Sequence, residues 1–315
     1  MIQLQTWDTS LLSLEHGAKR LIFIGDIHGC HDELVTLLAE ARYNNRTDQL
    51  VFTGNLVSKG PASPAVVDFA IQEHASCVRG NHEDRMMLAY RDLNNRLVAD
   101  EDRNELTSAP PGPGGPLVNS LNDESFPHGD YIDRKFAKAL TTEQASYLAA
   151  CPVVLDIGHV PGIGHTLAVH AGLVPGVDLE NQDPMGIMNM ESVDLRTHVP
   201  SRDPKGTPWF KLWNAYQSVR PKRERSTVVY GHDAKRGLQL NQYSKGLDTG
   251  CVEGGKLTAW MLTIETGQKS SQETFSVKCK DYRGLKGKGK GWDDLPYSPF
   301  KEDEHGGKGT GKIRS

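Results

Sequence analysis

Leu21-Ile22-Phe23-Ile24-Gly25-Asp26-Ile27-His28-Gly29-Cys30 is the stretch on which the reading of this chain turns. Four consecutive apolar residues running into Gly-Asp-x-His-Gly predict a buried strand whose C-terminal end delivers a carboxylate and an imidazole into a glycine-lined turn. Asp26 and His28 lie two apart in extended backbone, so their side chains point the same way, and the flanking glycines admit close approach of a ligand. A metal site begins in this way. Taken alone the pentapeptide is equally an ordinary turn, and four later stretches of the same character decide between the two.

Working outward, Leu34, Leu37, Leu38 and Ala41 recur at helical spacing behind the turn. Leu50-Val51-Phe52-Thr53 reads as a second strand, stopped by Gly54-Asn55-Leu56-Val57-Ser58-Lys59-Gly60-Pro61, and a helix from Pro64 turns Val66, Val67, Phe69 and Ala70 inward. A third strand, about Ala75 to Arg79, ends in Gly80-Asn81-His82-Glu83, and a helix follows from Asp84. Strand, polar loop and helix thus repeat three times. That order predicts an α/β fold with neighbouring, mostly parallel strands whose C-terminal ends share one rim, where open α/β sheets hold their ligands. Later strands run into His170-Ala171-Gly172 and, from Thr227 to Tyr230, into Gly231-His232-Asp233.

The 315 residues are 37% hydrophobic and 24% charged with a formal net charge of -4, values of a soluble globular protein in which nothing points to a specific nucleic acid or a membrane. Cys30, Cys77, Cys151, Cys251 and Cys279 are odd in number and never in CxxC spacing, which argues against a disulfide framework and for a reducing, cytoplasmic compartment. No run approaches the roughly 20 apolar residues that span a bilayer. One domain is expected over 20–275. Outside it stand an extension over 1–19 and a basic, glycine-rich tail over 276–315, expected to be flexible, while a Pro- and Gly-rich insertion at 99–130 reads as a surface linker or a substrate lid. A helical stretch is expected over about Asp133 to Ala150 and a closing β element from Leu257 to Ile264. Trp209, Phe210 and Trp213 read as core at a buried helix start, with stacking on a base as the alternative.

Five strand ends therefore carry Asp26 and His28, Asn55, Asn81 and His82, His170, and His232. Oxygen and imidazole donors without thiolate suit Mn, Zn, Fe or Co, with Mg a further candidate. Six donors on one rim suit two ions, which stabilise both attacking and leaving oxygens of an in-line displacement at phosphorus by a hydroxide held between them. His82 directly follows a ligand and is placed to protonate the leaving oxygen; Arg79 and Lys59 are cations in the same loops, available to phosphate oxygens.

The segments GDIHG, GNLVSKG, RGNHE, HAG and YGHD, in this order, resemble the signature of calcineurin-like metallophosphoesterases of the phosphoprotein phosphatase superfamily. Ser58-Lys59-Gly60-Pro61, YGHDAKRG and LDTGCVEGGKLTA are most similar to ApaH-like phosphatases, relatives of diadenosine tetraphosphatases and polyphosphatases. The resemblance implies a β-sandwich of two mixed sheets flanked by helices, with the active site at strand C-terminal ends. It implies that Asp26 and His28 hold one metal, that residue 55 bridges two, and that Asn81, His170 and His232 complete the second. It further implies His82 as general acid and Arg79 and Lys59 on phosphate.

Three positions depart from the family pattern. Asn55 stands where an Asp is expected, and a neutral amide is a poorer bridge between two dications; weaker metal binding and lower turnover are expected, as in an inactivated variant or a natural pseudoenzyme. Ser58 stands where protein phosphatases carry the Asp that orients their catalytic His. Glu191 stands where an Arg gripping phosphate is expected, which leaves Arg196 as the substitute. The function expected is metal-dependent hydrolysis of phosphoanhydrides, in dinucleoside polyphosphates, capped nucleotides or inorganic polyphosphate. A Ser/Thr protein phosphatase and a catalytically silent binder of phosphate-rich ligands are the alternatives.

Overall fold

The computed structural model describes residues 4–6, 19–91, 136–264 and 270–283. Strand β1 (Leu4–Thr6) is followed by β2 (Lys19–Ile24), formed by the apolar run at 21–24. Parallel to β2 lie β3 (Asp48–Phe52) and then β4 (Ser76–Cys77), in the register Ile22 to Leu50 and Val51 to Ser76. On the other side of β2 the antiparallel β13 (Lys256–Ile264) and β14 (Ser270–Lys278) complete a five-stranded mixed sheet. The alternation of a strand divides β2 between two cores. Ile22 and Ile24 join Leu34, Val66, Met86 and Leu148 under the helices α1 (His31–Glu40), α2 (Ser63–Gln72), α3 (81–91) and α4 (Thr142–Ala150). Leu21 and Phe23 face the second sheet, against Leu155, Ala168, Val229 and Leu247.

That second sheet is six-stranded, in the order β1-β5-β6-β10-β12-β11, with β5 (Val154–Val160), β6 (Gly164–Val169), β10 (Ser226–Tyr230), β11 (Gln239–Leu240) and β12 (Ser244–Gly246). A three-stranded antiparallel sheet of β7 (Ser192–Val193), β8 (Pro200–Ser201) and β9 (Thr207–Pro208) lies beside it. Its outer face is covered by α5 (Pro184–Asn189) and α6 (Trp209–Val219), whose Ile187, Trp209 and Trp213 meet Val169 and Val228. Trp209, Phe210 and Trp213 are thus core residues and not a base platform; Trp209 lies edge-on to Tyr230 with ring centroids 4.8 Å apart.

The mixed two-sheet sandwich agrees with the expected fold class, and the parallel β2-β3-β4 unit with the strand-loop-helix cadence. Four details differ. The stretch ending at Ala150 is broken: residues 136–139 are helical, and Thr141 then caps α4 through a reciprocal capping box with Gln144. Strand pairing runs past the expected end of the domain at 275, because β14 is an edge strand whose outward side chains are mostly exposed and polar, a composition that hides it among tail residues. As a third difference, Tyr282, within the expected flexible tail, donates from its hydroxyl to Glu33 of α1 at 3.0 Å.

The fourth difference concerns the cysteines. Cys77 is joined to Cys151 and Cys251 to Cys279, so the expectation of no disulfide framework is overturned, and among the described residues only Cys30 is free. The partners lie 74 and 28 residues apart in sequence, so the tertiary fold, with no local spacing, brings them together. Most of the expected extension (1–3 and 7–18), the 99–130 insertion and the tail beyond 283 lie outside the described residues.

Candidate metal centre

Asp26 follows β2 and lies at the floor of a cavity of about 190 Å³, lined also by His28, Asn55, Lys59, Asn81, His82 and His232. Its carboxylate is 3% exposed. Oδ1 accepts the backbone N–H of His232 at 2.9 Å, and Oδ2 accepts the Asn55 side-chain amide at 2.9 Å. Gly231 is required here, since a side chain at that position would collide with Asp26 Oδ1. Burial pushes the Asp26 carboxyl up to about 6, against the opposing hydrogen bonds from His232 and Asn55.

Three imidazoles are oriented by backbone carbonyls. His28 Nδ1 lies 3.0 Å from Val57 O, His170 Nδ1 lies 2.8 Å from Thr53 O, and His232 Nε2 lies 3.2 Å from Asn189 O. A carbonyl accepts only, so each of these nitrogens carries the proton and the opposite nitrogen keeps its lone pair, as a metal-ligating histidine requires. Burial lowers His170 to about 4 and His232 to about 3, so both are neutral at pH 7 and need shed no proton to ligate. Asn81 Oδ1 is 3.1 Å from His170 Nε2, and the His170 and His232 ring centroids are 5.0 Å apart. His28 Nε2 lies 3.7 Å from Asp26 Oδ2. This donor set fits divalent transition metals, with Asn55 as the position of poorer fit: it offers an amide, and its Nδ2 is spent on Asp26.

The loops that carry these groups are strained. His28, Asn55, Ser58, Lys59 and His232 all have positive φ, between 47° and 75°, a region that costs non-glycine residues about 1–3 kcal/mol each when the surroundings impose it. Glu83, fully buried, does the imposing on one side. Its two oxygens accept from the backbone N–H groups of Asn55, Leu56, Val57 and Gly80, at 2.8 to 3.2 Å, and so tie the residue-55 loop to the residue-80 loop. Glu83 and Asp248, a buried acid of the cavity wall, were both quoted in the sequence motifs without a role. Leu247-Asp248-Thr249-Gly250 has the same strand-Asp-Gly character as the stretch around Asp26, and that unread likeness is the one signal in the sequence that marks it.

Of the residues expected to meet substrate, Lys59 is in place: it lines the cavity, with Nζ 3.2 Å from His28 Nε2. His82 also lines it, its ring edge-on to His28 at 4.9 Å, and its Nδ1 is buried with no hydrogen-bond partner, as expected with Ser58 in place of an acid. Burial, with His28 and Lys59 as the next largest causes, holds His82 well below the usual histidine range. Arg79 and Arg196 are corrections. Arg79 turns away from the cavity to donate to Ala149 O at 2.6 Å, with Nη1 3.9 Å from Asp84, because the end of α4 lies against β4. Arg196 sits exposed in the turn between β7 and β8, where Asp194 accepts its backbone N–H. Glu191 does line the cavity, and its carboxylate lies 3.5 Å from Arg236, which is also paired with Asp233.

A family model for calcineurin-like phosphoesterases matches residues 19–253, the segment that carries every ligand candidate. The chain is a calcineurin-like phosphoesterase. Among curated proteins this phosphoesterase is similar to the zinc-dependent endopolyphosphatase of Saccharomyces cerevisiae (strain ATCC 204508 / S288c), 29% identical over 86% of this chain and 85% of the relative. It is also similar to the symmetrical bis(5'-nucleosyl)-tetraphosphatase of Shewanella baltica (strain OS185), 29% identical over 80% of this chain and 97% of the relative. A crystal structure provisionally described as a diadenosine tetraphosphatase superposes with a TM-score of 0.62 at 26% identity, over 89% of this chain and 99% of that one. The family uses a divalent metal pair, in agreement with the donors found here. No helix among the described residues is long and apolar enough to cross a membrane.

Proposed function

We propose that this phosphoesterase hydrolyses phosphoanhydride bonds in dinucleoside polyphosphates, capped nucleotides or inorganic polyphosphate. One observation carries the reading: His28 and His232, each anchored through one nitrogen to a backbone carbonyl, face one cavity with the Asp26 carboxylate, and the similarly anchored His170 lies against His232 and Asn81 of that cavity. Similarity to an endopolyphosphatase and to symmetrical tetraphosphatases supports the anhydride class.

Asp26, His28 and Asn55 would hold one ion, and Asn55, Asn81, His170 and His232 the other, with Zn, Mn, Fe, Co and Mg as candidates. Bound there, the ions supply Lewis acidity toward phosphoryl oxygens and water of lowered pKa. The chain does the rest. Lys59, at the cavity wall, holds phosphate oxygens as a point charge. His82 is neutral at pH 7, and a bound phosphate dianion raises its basicity by Coulomb attraction, so that it carries a proton and passes it to the leaving oxygen. Arg236 has two carboxylate neighbours, and Arg79 reaches substrate only by leaving Ala149. The unpartnered Nδ1 of His82 speaks against the protein-phosphatase alternative, in which an acid orients that ring.

A second reading, a silent binder of phosphate-rich ligands, is favoured by Asn55 and by the Glu191 carboxylate at the cavity wall. The cytoplasmic setting loses the support of the cysteines, four of which are paired. A screen of polyphosphate, diadenosine tetraphosphate and a phosphopeptide, against Zn, Mn, Co and Mg, separates the readings in the parent and in Asn55→Asp. Anhydride hydrolysis supports the enzyme. Phosphopeptide hydrolysis alone contradicts it, and Asn55→Asp inert with metal bound favours the binder.

A further inference from the structure

Asp248 is 6% exposed and lines the cavity, with its carboxyl group beside that of Asp26. The backbone forces this contact. Leu247 donates to Tyr230 O at 2.9 Å in continuation of the parallel β10-β12 pairing, which carries Asp248 to the same rim as His232. Gly25 has no room for a side chain, because Leu247 O occupies the place of a Cβ, so the residue-248 and residue-26 loops lie directly against each other. The Gly250 N–H, 3.0 Å from Asp248 Oδ1, fixes the carboxylate from behind. Around Asp26 stand two donors, the His232 N–H and the Asn55 amide, one acid, Asp248, the His28 ring, and Lys59 as the cation of the cavity wall.

Two acids in buried contact repel when ionised, and a structure that builds such a contact gains from it only when a cation or a proton lies beside the pair. Here the pair borders a cavity that also holds His28, whose Nε2 lone pair faces Asp26 Oδ2 at 3.7 Å. Asn55 brings no negative charge to this end, so the second carboxylate touching Asp26 is Asp248. We propose that Asp248 is a positioning residue of the metal centre: through Asp26 it supplies the negative charge that residue 55 lacks, and this sustains metal affinity at the Asp26 and His28 end.

The inference rests on the metal-centre reading above, and its test uses the full chain with zinc as the probe. Zinc affinity is measured by competition with a chromophoric chelator for the parent, Asp248→Asn, Asn55→Asp and the double variant, and each is also melted in excess chelator. Asp248→Asn is expected to bind zinc about tenfold or more weakly, the usual scale for groups that support a ligand. Its metal-free melting temperature should be equal to or above the parent's, because an amide against Asp26 replaces a like-charge contact. A merely structural Asp248 would lower that temperature. The double variant should regain at least the parent's affinity, since a carboxylate at 55 restores the charge. Unchanged zinc affinity in Asp248→Asn, or a loss that appears only with a lower metal-free melting temperature, would overturn the proposal and leave the metal centre standing. Absence of zinc binding in both the parent and Asn55→Asp would overturn the metal-centre reading and the proposal with it.

Discussion

The five-stranded sheet brings Asp26, His28, Asn55 and Asn81 to the cavity, and the six-stranded sheet brings His232 and Asp248 to it, with His170 beside His232; the two halves are held by different means. On the first, His28, Asn55, Ser58 and Lys59 have positive φ, and a buried acid, Glu83, clamps the loops from below through four backbone N–H groups. On the second, His232 is in that region while His170 and Asp248 are not, and its two imidazoles are set by single carbonyls. Asn55, the proposed bridge position, lies in the strained half. The imidazoles of the other half are neutral and carbonyl-anchored without any hydrogen bond to residue 55, so metal affinity and turnover should respond unequally to changes on the two sides.

The comparison breaks most sharply at Glu83. Glu83→Ala leaves four buried N–H groups without an acceptor and should cost at least about 3 kcal/mol, read as a shifted urea midpoint, with zinc affinity falling alongside. Equal stability would mean that the strained loops hold themselves. The disulfides sharpen it next, because Cys77 lies four residues before Asn81 and Cys251 three after Asp248. Replacing the Cys77–Cys151 pair by Ser should cost about 2–4 kcal/mol by calorimetry, and reduction by a phosphine should do the same to the parent. If reduction leaves the melting temperature unmoved, the pair braces nothing.

Acid separates the halves by charge. Zinc affinity should fall by up to about tenfold per unit as pH drops below about 6, because Asp26, pushed up to about 6, must release a proton to ligate. His170 and His232, lowered to about 4 and about 3, are already neutral there and add their own loss only under more acid conditions. A decline that instead begins near the ordinary histidine pKa of about 6.5 would show that the imidazoles are not held neutral. At the rim, Glu191→Arg in the Asn55→Asp background should lower KM for polyphosphate roughly tenfold, about 1.4 kcal/mol, by turning an anion facing the substrate into a cation. Arg196→Ala, in an exposed turn, should change KM by less than about twofold; a larger effect would restore that residue to the site.

How much of this could be read from the sequence depends on how local each signal is. The buried part of β2 was readable residue by residue, since four apolar residues before Gly-Asp leave a strand little choice, and the ligands at strand ends follow from that. The second sheet was not, because β1 joins β5 and β6 joins β10 across long separations that no periodicity reports. The disulfides and β14 escaped for the same reason: one depends on pairing at a distance, the other on an edge whose residues look like a tail. Arg79 and Arg196 were misplaced because a long side chain goes where its tertiary partner is, and Ala149 O lies 70 residues from Arg79. Glu83 and Asp248 were in view as letters of a motif, and only the backbone N–H groups and the Asp26 carboxylate against them give them a part.

The most direct test of the whole account is the rate of phosphate release from polyphosphate with zinc, measured side by side for the parent and Asn55→Asp. A rise of at least about 10²-fold is expected in the variant, since a carboxylate at the proposed bridge restores about 3 kcal/mol or more of transition-state stabilisation. Equal rates in the two proteins would contradict it, and would mean that residue 55 is not at the metal bridge.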